Sequence, residues 1–578
     1  MGLLPIERNT DLVSLTIRAG GDDLPGMLRV VSAEVQREVN RIPFARIRIE
    51  DGDPARAEFS ISGGDLFIAG QEVTIEAGFH GDTAQIFAGI VTRQRLGVRA
   101  GSAWLEVECR DLACRMTLAR RNRLFEDMTD SDVVEQILGD YGIQADLAAT
   151  DVAHGQLFQY QATDWDFVMT RLDANGLLCA VEDGALRSFL PELAATAEAT
   201  ALYGTNLMEL DAEFDARSQS GSISARSWDP AGQAVQEAAA ADPGWTLTGD
   251  LTADELATAV GRDAEEIWHG GALPADALQA WADGMLRRSR VAGTRGRARF
   301  RGFASLALGQ TLALDGLGAR FNGAVLVTGL RHEFSDNQWT LDVTFGLDRA
   351  LHADRFEVSA KPAAAIGPAV SGLQVGIVTA IADDPAGEHR IRVKIPVAGF
   401  DEEGVWARLA TLDAGNGRGT YFRPETDDEV VVGFFHDDPA YPVILGGLHS
   451  SAMPPPEDSE ADNALKGFTS REGLQVVFDD EKKVMTLATP GGNKVVLSDD
   501  DGGIRLEDQN GNSIALSSEG VAIKSAAAVS VQAATDASLE GVNVNVNASA
   551  SLTAEGSASA SMSSSGQLEI SGTLVMIN

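Results

Sequence analysis

The stretch KVVLSDDDGGIRLEDQNGNSIALSSEGVAIK (494–524) decides how this chain is read. Within it apolar residues stand two apart, which puts both members of a pair on the same side of an extended backbone. The pairs are Val495 and Leu497, Ile504 and Leu506, Ile514 and Leu516, and Val521 and Ile523. Between them lie turn formers: Asp501-Gly502-Gly503, Asn510-Gly511-Asn512 and Glu519-Gly520. The pattern runs on through Val529 and Val531, Ala537 and Leu539, and Val544 and Val546, and returns at Leu568 and Ile570. Pair starts are 9, 10, 7, 8, 8 and 7 residues apart as far as Val544. The period near eight describes very short strands, each apolar on one face.

One such strand cannot bury that face alone, because its chain neighbours form only a narrow ribbon with the apolar side in water. Three identical chains wound round a common axis would cover it and pair their backbone edges. An axis that narrow excludes rings, and Phe478 is the last aromatic and Pro490 the last proline of the chain. In LTAEGSASASMSSSG (552–566) the inward positions shrink to Ala, which would taper the shaft. The expected product is a stiff trimeric needle over 471–578, with Val495, Leu497, Ile504, Leu506, Ile514, Leu516, Val521, Ile523, Val529, Val531, Leu539, Val544, Val546, Leu568 and Ile570 as its core.

Upstream, SSAMPPPEDSEADN (450–463) is too polar and proline-rich for either neighbour, and a linker is expected over 451–470. Before it, GIVTAI, RIRVKIPV, VWARLATL, EVVVGFF and PVILGGL give five short strands in 373–450, a small closed barrel of the OB type. KPAAAIGPAV begins a second linker, 361–372. Residues 1–120 read as β-structure. Two capped helices follow in 121–200, one opened by Thr129 and Asp132, the other by Thr163 and Asp166. Residues 201–360 are again β-rich, interrupted by a helical insert at about 229–292. An internal echo links the two β-rich parts. Gly70-Gln71-Glu72-Val73-Thr74-Ile75 followed by Phe87-Ala88-Gly89-Ile90-Val91-Thr92 is matched by Gly309-Gln310-Thr311-Leu312-Ala313-Leu314 followed by Phe321-Asn322-Gly323-Ala324-Val325-Leu326-Val327-Thr328. Two related barrels are expected.

With 46 Lys plus Arg against 85 Asp plus Glu, the net charge of −39 repels nucleic acid and anionic membrane surfaces at long range. No run approaches the roughly 20 apolar residues that span a bilayer. The opening MGLLPIERNTDLVSLTIRAGGDD lacks the features of a secretory signal, so synthesis in the bacterial cytoplasm is expected. Cys109, Cys114 and Cys179 fit neither a disulfide framework nor a zinc site. No catalytic or metal-ligating set and no cofactor motif stands out. Asp164-Trp165-Asp166 sets two carboxylates beside a ring, as a glycosidase would, but the cap signal at Thr163 accounts for them. His436-Asp437-Asp438, Asp479-Asp480-Glu481 and Asp499-Asp500-Asp501 read as solvated turns.

Taken in order, these segments resemble the VgrG-like central spikes of contractile injection systems: type VI secretion, extracellular injection systems and the phage tail hub-spike family. The first half resembles the tail hub through TDWDFVMTRLDANGLL (163–178), RGRARFRG (295–302) and VTGLRHEF (327–334). The barrel resembles the spike OB domain through Ile395-Pro396, Val405-Trp406-Ala407-Arg408, GNGRGTYFRP (415–424) and DDEVVVGFFHDDPAYPVILGGLHS (427–450). GTLVMIN (572–578) resembles the blunt end that accepts a PAAR-type tip protein, with Met576, Ile577 and Asn578 as the docking residues.

The resemblance implies a mainly β, multidomain fold. Two hub-type barrels with inserted helices, an OB barrel and an intertwined triple-stranded β-helix would be built by a homotrimer. It also implies tube and baseplate proteins as partners of the N-terminal half, a tip protein with effector cargo at the other end, and transient contact with a target membrane. A lysozyme between barrel and needle has no room between His449 and Leu474, and the last histidine, His449, precludes a histidine-bound tip metal. Two other readings use the same residues: a fibrous adhesin or phage tail fibre with a β-prism stalk, and an enzyme with an unfamiliar site in the insert.

Overall fold

In a computed structural model the described residues are 11–577, apart from 195, 247, 400–402 and 459. The protein is mainly β, with 41% of residues in strands and 12% in helices. Among the described residues no helix is long and apolar enough to cross a membrane. It divides into two compact units, one essentially 1–371 and the other essentially 372–578.

In the first unit, the strands expected to close two barrels belong to one 13-stranded sheet. Alternation builds it: in Phe44–Glu50, Ala45, Ile47 and Ile49 are fully buried while Arg46 and Arg48 face outward. The seam is the antiparallel pair of Gly323–Ser335 with Val30–Glu38, running from Gly329 opposite Glu38 to Ser335 opposite Ser32. The joining strand is long enough, at 13 residues, to serve both halves, and a register shift at Val327/Gly329 re-aims it. Its first part packs Val325 and Val327 into a core with Phe300, Leu312, Leu341 and Phe345. Its far end, Phe334, joins Trp339 in the other core with Val35, Ile47, Ile75, Phe87 and Val107. Continuity of the sheet comes from this shared strand.

The sequence echo corresponds to one repeated backbone device. Gly70 N–H donates to Val91 O at 2.8 Å and Val91 N–H to Gln71 O at 2.9 Å; Gly309 N–H donates to Val327 O and Val327 N–H to Gln310 O, both at 2.8 Å. Both glycines take the left-handed conformation, φ 89° and 80°, which explains why the residue before each glutamine is the one without a side chain.

Across the outer side of the sheet the charges alternate in sign from strand to strand. Arg299 Nε meets Asp342 at 2.7 Å, Arg331 Nη1 meets Asp342 at 3.5 Å, and Arg331 Nε meets Glu34 at 2.6 Å. Arg46 then bridges Glu34 at 3.5 Å and Glu108 at 3.9 Å, so the row crosses the seam. Beneath it, buried His332 accepts a hydrogen bond at Nδ1 from Trp339 Nε1, 3.3 Å. Burial, with Arg37's charge behind it, pushes the imidazole pKa from 6.5 down to about 3. The unfolded chain binds a proton below 6.5 that the folded chain refuses. Stability contributed by neutral His332 is therefore complete above 6.5 and is lost as the pH falls toward 3. His332→Gln should flatten that limb of the urea-midpoint profile; an unchanged slope would show that other groups produce it.

The helix-bearing part holds α1 (Asp130–Gly139) and α2 (Asp164–Ala174), capped by Thr129 and Thr163 as their sequences require. The insert is a correction: the expected helical excursion at 229–292 is mixed α/β. A three-stranded sheet of Ala234–Ala239, Ser222–Asp229 and Ala264–His269 accompanies α3 (Ala253–Ala259) and α4 (Ala275–Val291). Alanine richness suggests helix, yet Ala225 packs with Leu278 and Ala282 of α4 from a strand, where small residues permit close approach. At the end of α2, Gly176 meets Gly284 of α4, and a Cβ on Gly284 would lie 2.5 Å from Gly176 Cα. Gly284→Val should therefore lower stability by about 1–3 kcal/mol, read as a lowered urea midpoint.

In the second unit, five strands close a barrel: Gln374–Ala380, Ile391–Lys394, Val405–Leu409, Pro442–Gly447 and Glu429–Phe434. Val378, Ile391, Val393, Ala407, Val430, Val432 and Ile444 fill it completely. Beyond it, Leu465–Thr469, Gln475–Asp479, Val484–Ala488, Lys494–Ser498, Gly503–Glu507, Ser513–Ser517 and Gly520–Lys524 form an antiparallel meander in chain order. Residues 525–577 carry no strand within the single chain.

Candidate assembly face

The meander turns the sequence pairs into two straight apolar rows. Strand partners share a face, and Val476, Leu487, Val495, Leu506, Ile514 and Ile523 are successive partners. Two residues along each strand, Phe478, Met485, Leu497, Ile504, Leu516 and Val521 form the second row on the same face. The opposite face carries Thr486, Arg505, Lys494, Glu507, Ser513 and Lys524 among its residues. That opposite face is mixed, with Val477, Val484, Val496, Ala515 and Ala522 among its charged and hydroxyl residues, so the uniformly apolar face is the one that calls most for a cover.

Among the described residues this face is only partly covered. Leu497, Ile504, Leu506, Ile514 and Leu516 are each 39–42% exposed, and Val521 and Ile523 about two-thirds. That is a continuous exposed apolar surface of the kind that marks an interface. Its turns are tightly made: Asp508 accepts from the backbone of Asn510 and Asn512 at 2.9 and 2.8 Å, and these bonds, with that from the Asn512 side chain, hold its pKa down to about 2.

Of the expected core residues, the structure brings eight, Val495 to Ile523, onto this face. The other seven, Val529, Val531, Leu539, Val544, Val546, Leu568 and Ile570, lie exposed in 525–577 and touch no common core. Met576 and Ile577 are exposed as well, and Asn578 lies outside the described residues. The rows also begin earlier than the sequence reading placed them: Val476 and Phe478, then Met485 and Leu487, precede Val495 at intervals of 9 and 10. They lie inside the expected needle, 471–578, and show the same two-apart spacing, although the expected core begins only at Val495.

Asp164 and Asp166 are occupied structurally. Asp164, fully buried, accepts from Gln159 Nε2 at 2.7 Å and Tyr141 Oη at 2.5 Å, with Arg121 and Arg123 each at 3.3 Å. Burial, then the bond to Asp164, pushes the tyrosine up to about 12. Asp166 accepts from Thr163 Oγ1 at 2.6 Å and meets His352 Nε2 at 2.8 Å. The three thiols are free and buried, and burial pushes Cys109 and Cys179 up to about 12. Among the described residues no group of three or more His, Cys, Asp or Glu is placed to hold a metal ion.

Residues 9–336, more than half of the chain, match the family model of the Alg8 N-terminal domain. Residues 374–449 match the type VI secretion system/phage-baseplate injector OB domain, and 484–553 match the phage baseplate V C-terminal trimerisation domain. The chain belongs to the Alg8 family and is a VgrG-like spike protein. The trimerisation domain matched in this Alg8-family spike begins at Val484, in the third strand of the meander, and ends at residue 553, within the strandless segment. Over 155 residues the spike is 30% identical to the type VI secretion system spike protein VgrG4b of Pseudomonas aeruginosa, a match spanning 25% of this chain and 16% of that protein.

Solved structures similar to the Alg8-family spike include the 43 kDa tail protein of prophage MuSo2 from Shewanella oneidensis, at 12% identity and TM-score 0.46, covering 59% of this chain and 99% of the other. A tail protein from Neisseria meningitidis gives 17% and 0.44, covering 59% and 98%. An E. coli component of the type VI secretion system gives 15% and 0.38, covering 75% and 99%.

Proposed function

We propose that this chain is the non-enzymatic, homotrimeric spike and hub at the tip of a phage-tail-like contractile injection system. Its N-terminal half mounts on the tube and baseplate. The needle transmits the force of contraction to a small area of target membrane, and its end carries a PAAR-like tip protein with effector cargo, docked through Met576, Ile577 and Asn578. The observation that carries this is the double apolar row, exposed in one chain and matched by a trimerisation domain. The seven apolar residues beyond Ser525 support it too, because they keep the two-apart spacing although each is exposed in the single chain. Covering both sets with two further copies removes apolar surface from water at about 25 cal/mol per Å².

Sedimentation velocity tests the reading directly. The chain should run near 183 kDa, three times its 61.0 kDa, and resist proteolysis beyond residue 490. A 61.0 kDa species at micromolar concentration, cleaved throughout that segment, would overturn it.

A further inference from the structure

The GNGRGTYFRP motif forms a short hairpin at the barrel, Ala414–Gly415 against Arg418–Gly419. It is held firmly. Arg418 Nη1 binds both oxygens of Asp413 at 2.8 and 2.9 Å, Thr420 N–H donates to Asp413 O at 2.9 Å, and Arg423 donates to Ile381 O at 2.7 Å. Yet this fixed loop holds Leu412, Tyr421 and Phe422 out in solvent, Tyr421 at 83% exposure and Phe422 at 68%. Large apolar side chains on a rigid, outward-facing loop call for an occupant.

Phe422 identifies it. Its ring stacks on Phe468, centroids 5.5 Å apart and planes at 16°, and the contact is braced by Arg471 Nη1 to Glu425 at 3.0 Å. Phe468 is the strand partner of Val476, the first residue of an apolar row. The row and the loop are therefore one surface: Phe422, Phe468, Val476, Leu487 and onward to Ile523. A sheath of neighbouring copies on the rows reaches the loop without a break.

We propose that Leu412, Tyr421 and Phe422 form an apolar collar that packs against a second copy of this chain, extending the intersubunit contact from the needle onto the barrel. The inference rests on the trimeric reading of the needle and adds to it a specific site that the needle's own assembly does not require. Once the collar is seated, the barrel is locked to the needle root of its neighbour, so thrust does not concentrate on the chain connecting barrel and needle.

Hydroxyl-radical footprinting of the intact chain, with its mass measured in the same sample, tests the collar. Tyr421 and Phe422 should be oxidised about five-fold or more slowly than in the urea-unfolded chain. A trimer that oxidises them within about two-fold of the unfolded rate overturns the collar while leaving the needle reading intact, and leaves the loop to a different partner. A monomer overturns both, and the mass records which failure occurred. As a second arm, Tyr421→Asp should keep the trimeric mass but speed subunit exchange about ten-fold, by placing a carboxylate in each collar contact. Unchanged exchange would count against the collar.

Discussion

Leu506→Asp should convert the 183 kDa assembly to a chain of 61.0 kDa. Leu506 lies in the middle of its row, with Val495 and Ile514 as strand partners. In a threefold assembly, one substitution puts three carboxylates into a sealed apolar interior, at several kcal/mol each. The neighbouring Arg505 points to the other face and pairs loosely with Glu507 at 3.8 Å, so Arg505→Asp should leave the mass unchanged. Sedimentation of the two variants side by side reads the facing of the strand. If Leu506→Asp remained a heat-resistant trimer, the apolar rows would not be the surface that the copies share.

The second large effect is expected in the hub. Arg288 of α4 is almost wholly buried and ion-paired with buried Asp173 of α2, whose other oxygen accepts the backbone N–H of His352 at 2.6 Å. Burial raises the carboxyl's pKa, and the guanidinium beside it offsets part of that rise. Arg288→Ala would leave Asp173 in the interior without its counter-charge, which costs about 3–5 kcal/mol. The loss should appear as a lower first unfolding midpoint with the trimeric mass retained. Replacing both partners, Arg288→Met with Asp173→Leu, removes the stranded charge and should recover most of that loss, apart from the bond to His352. Equal losses in single and double variants would mean that shape, not charge, dominates at this crossing.

The parts legible in the sequence were those specified by local chemistry. Thr129 and Thr163 cap helices because a hydroxyl three residues before an unpaired N–H needs no distant partner. The two-apart apolar spacing at Val495 to Ile523 fixed the faces of four strands, since period two leaves one choice of side once the strands form. The Gly70 and Gly309 echo located the same turn twice.

What escaped depends on long-range pairing. The seam at Gly329 and Glu38 joins residues nearly 300 positions apart, and nothing in either strand announces the other. The insert misled because Ala and Gln are at home in α4, while the adjoining strands gained their β-structure from packing upon it. The place of Phe422 was hidden for the same reason: its motif resembles a barrel loop, and the stack on Phe468, with Arg471 paired to Glu425, connects it to the rows.

The absence of tryptophan and tyrosine from the rows has an experimental corollary. The last tryptophan is Trp406 and the last tyrosine Tyr441, so no indole or phenol chromophore follows the barrel. A melt followed by intrinsic fluorescence would report only the N-terminal half and the barrel, and could show complete denaturation while the shaft stood intact. Far-ultraviolet dichroism, which reads amide bonds, would register the remaining transition, and the gap between the two curves would measure how independently the shaft survives heat.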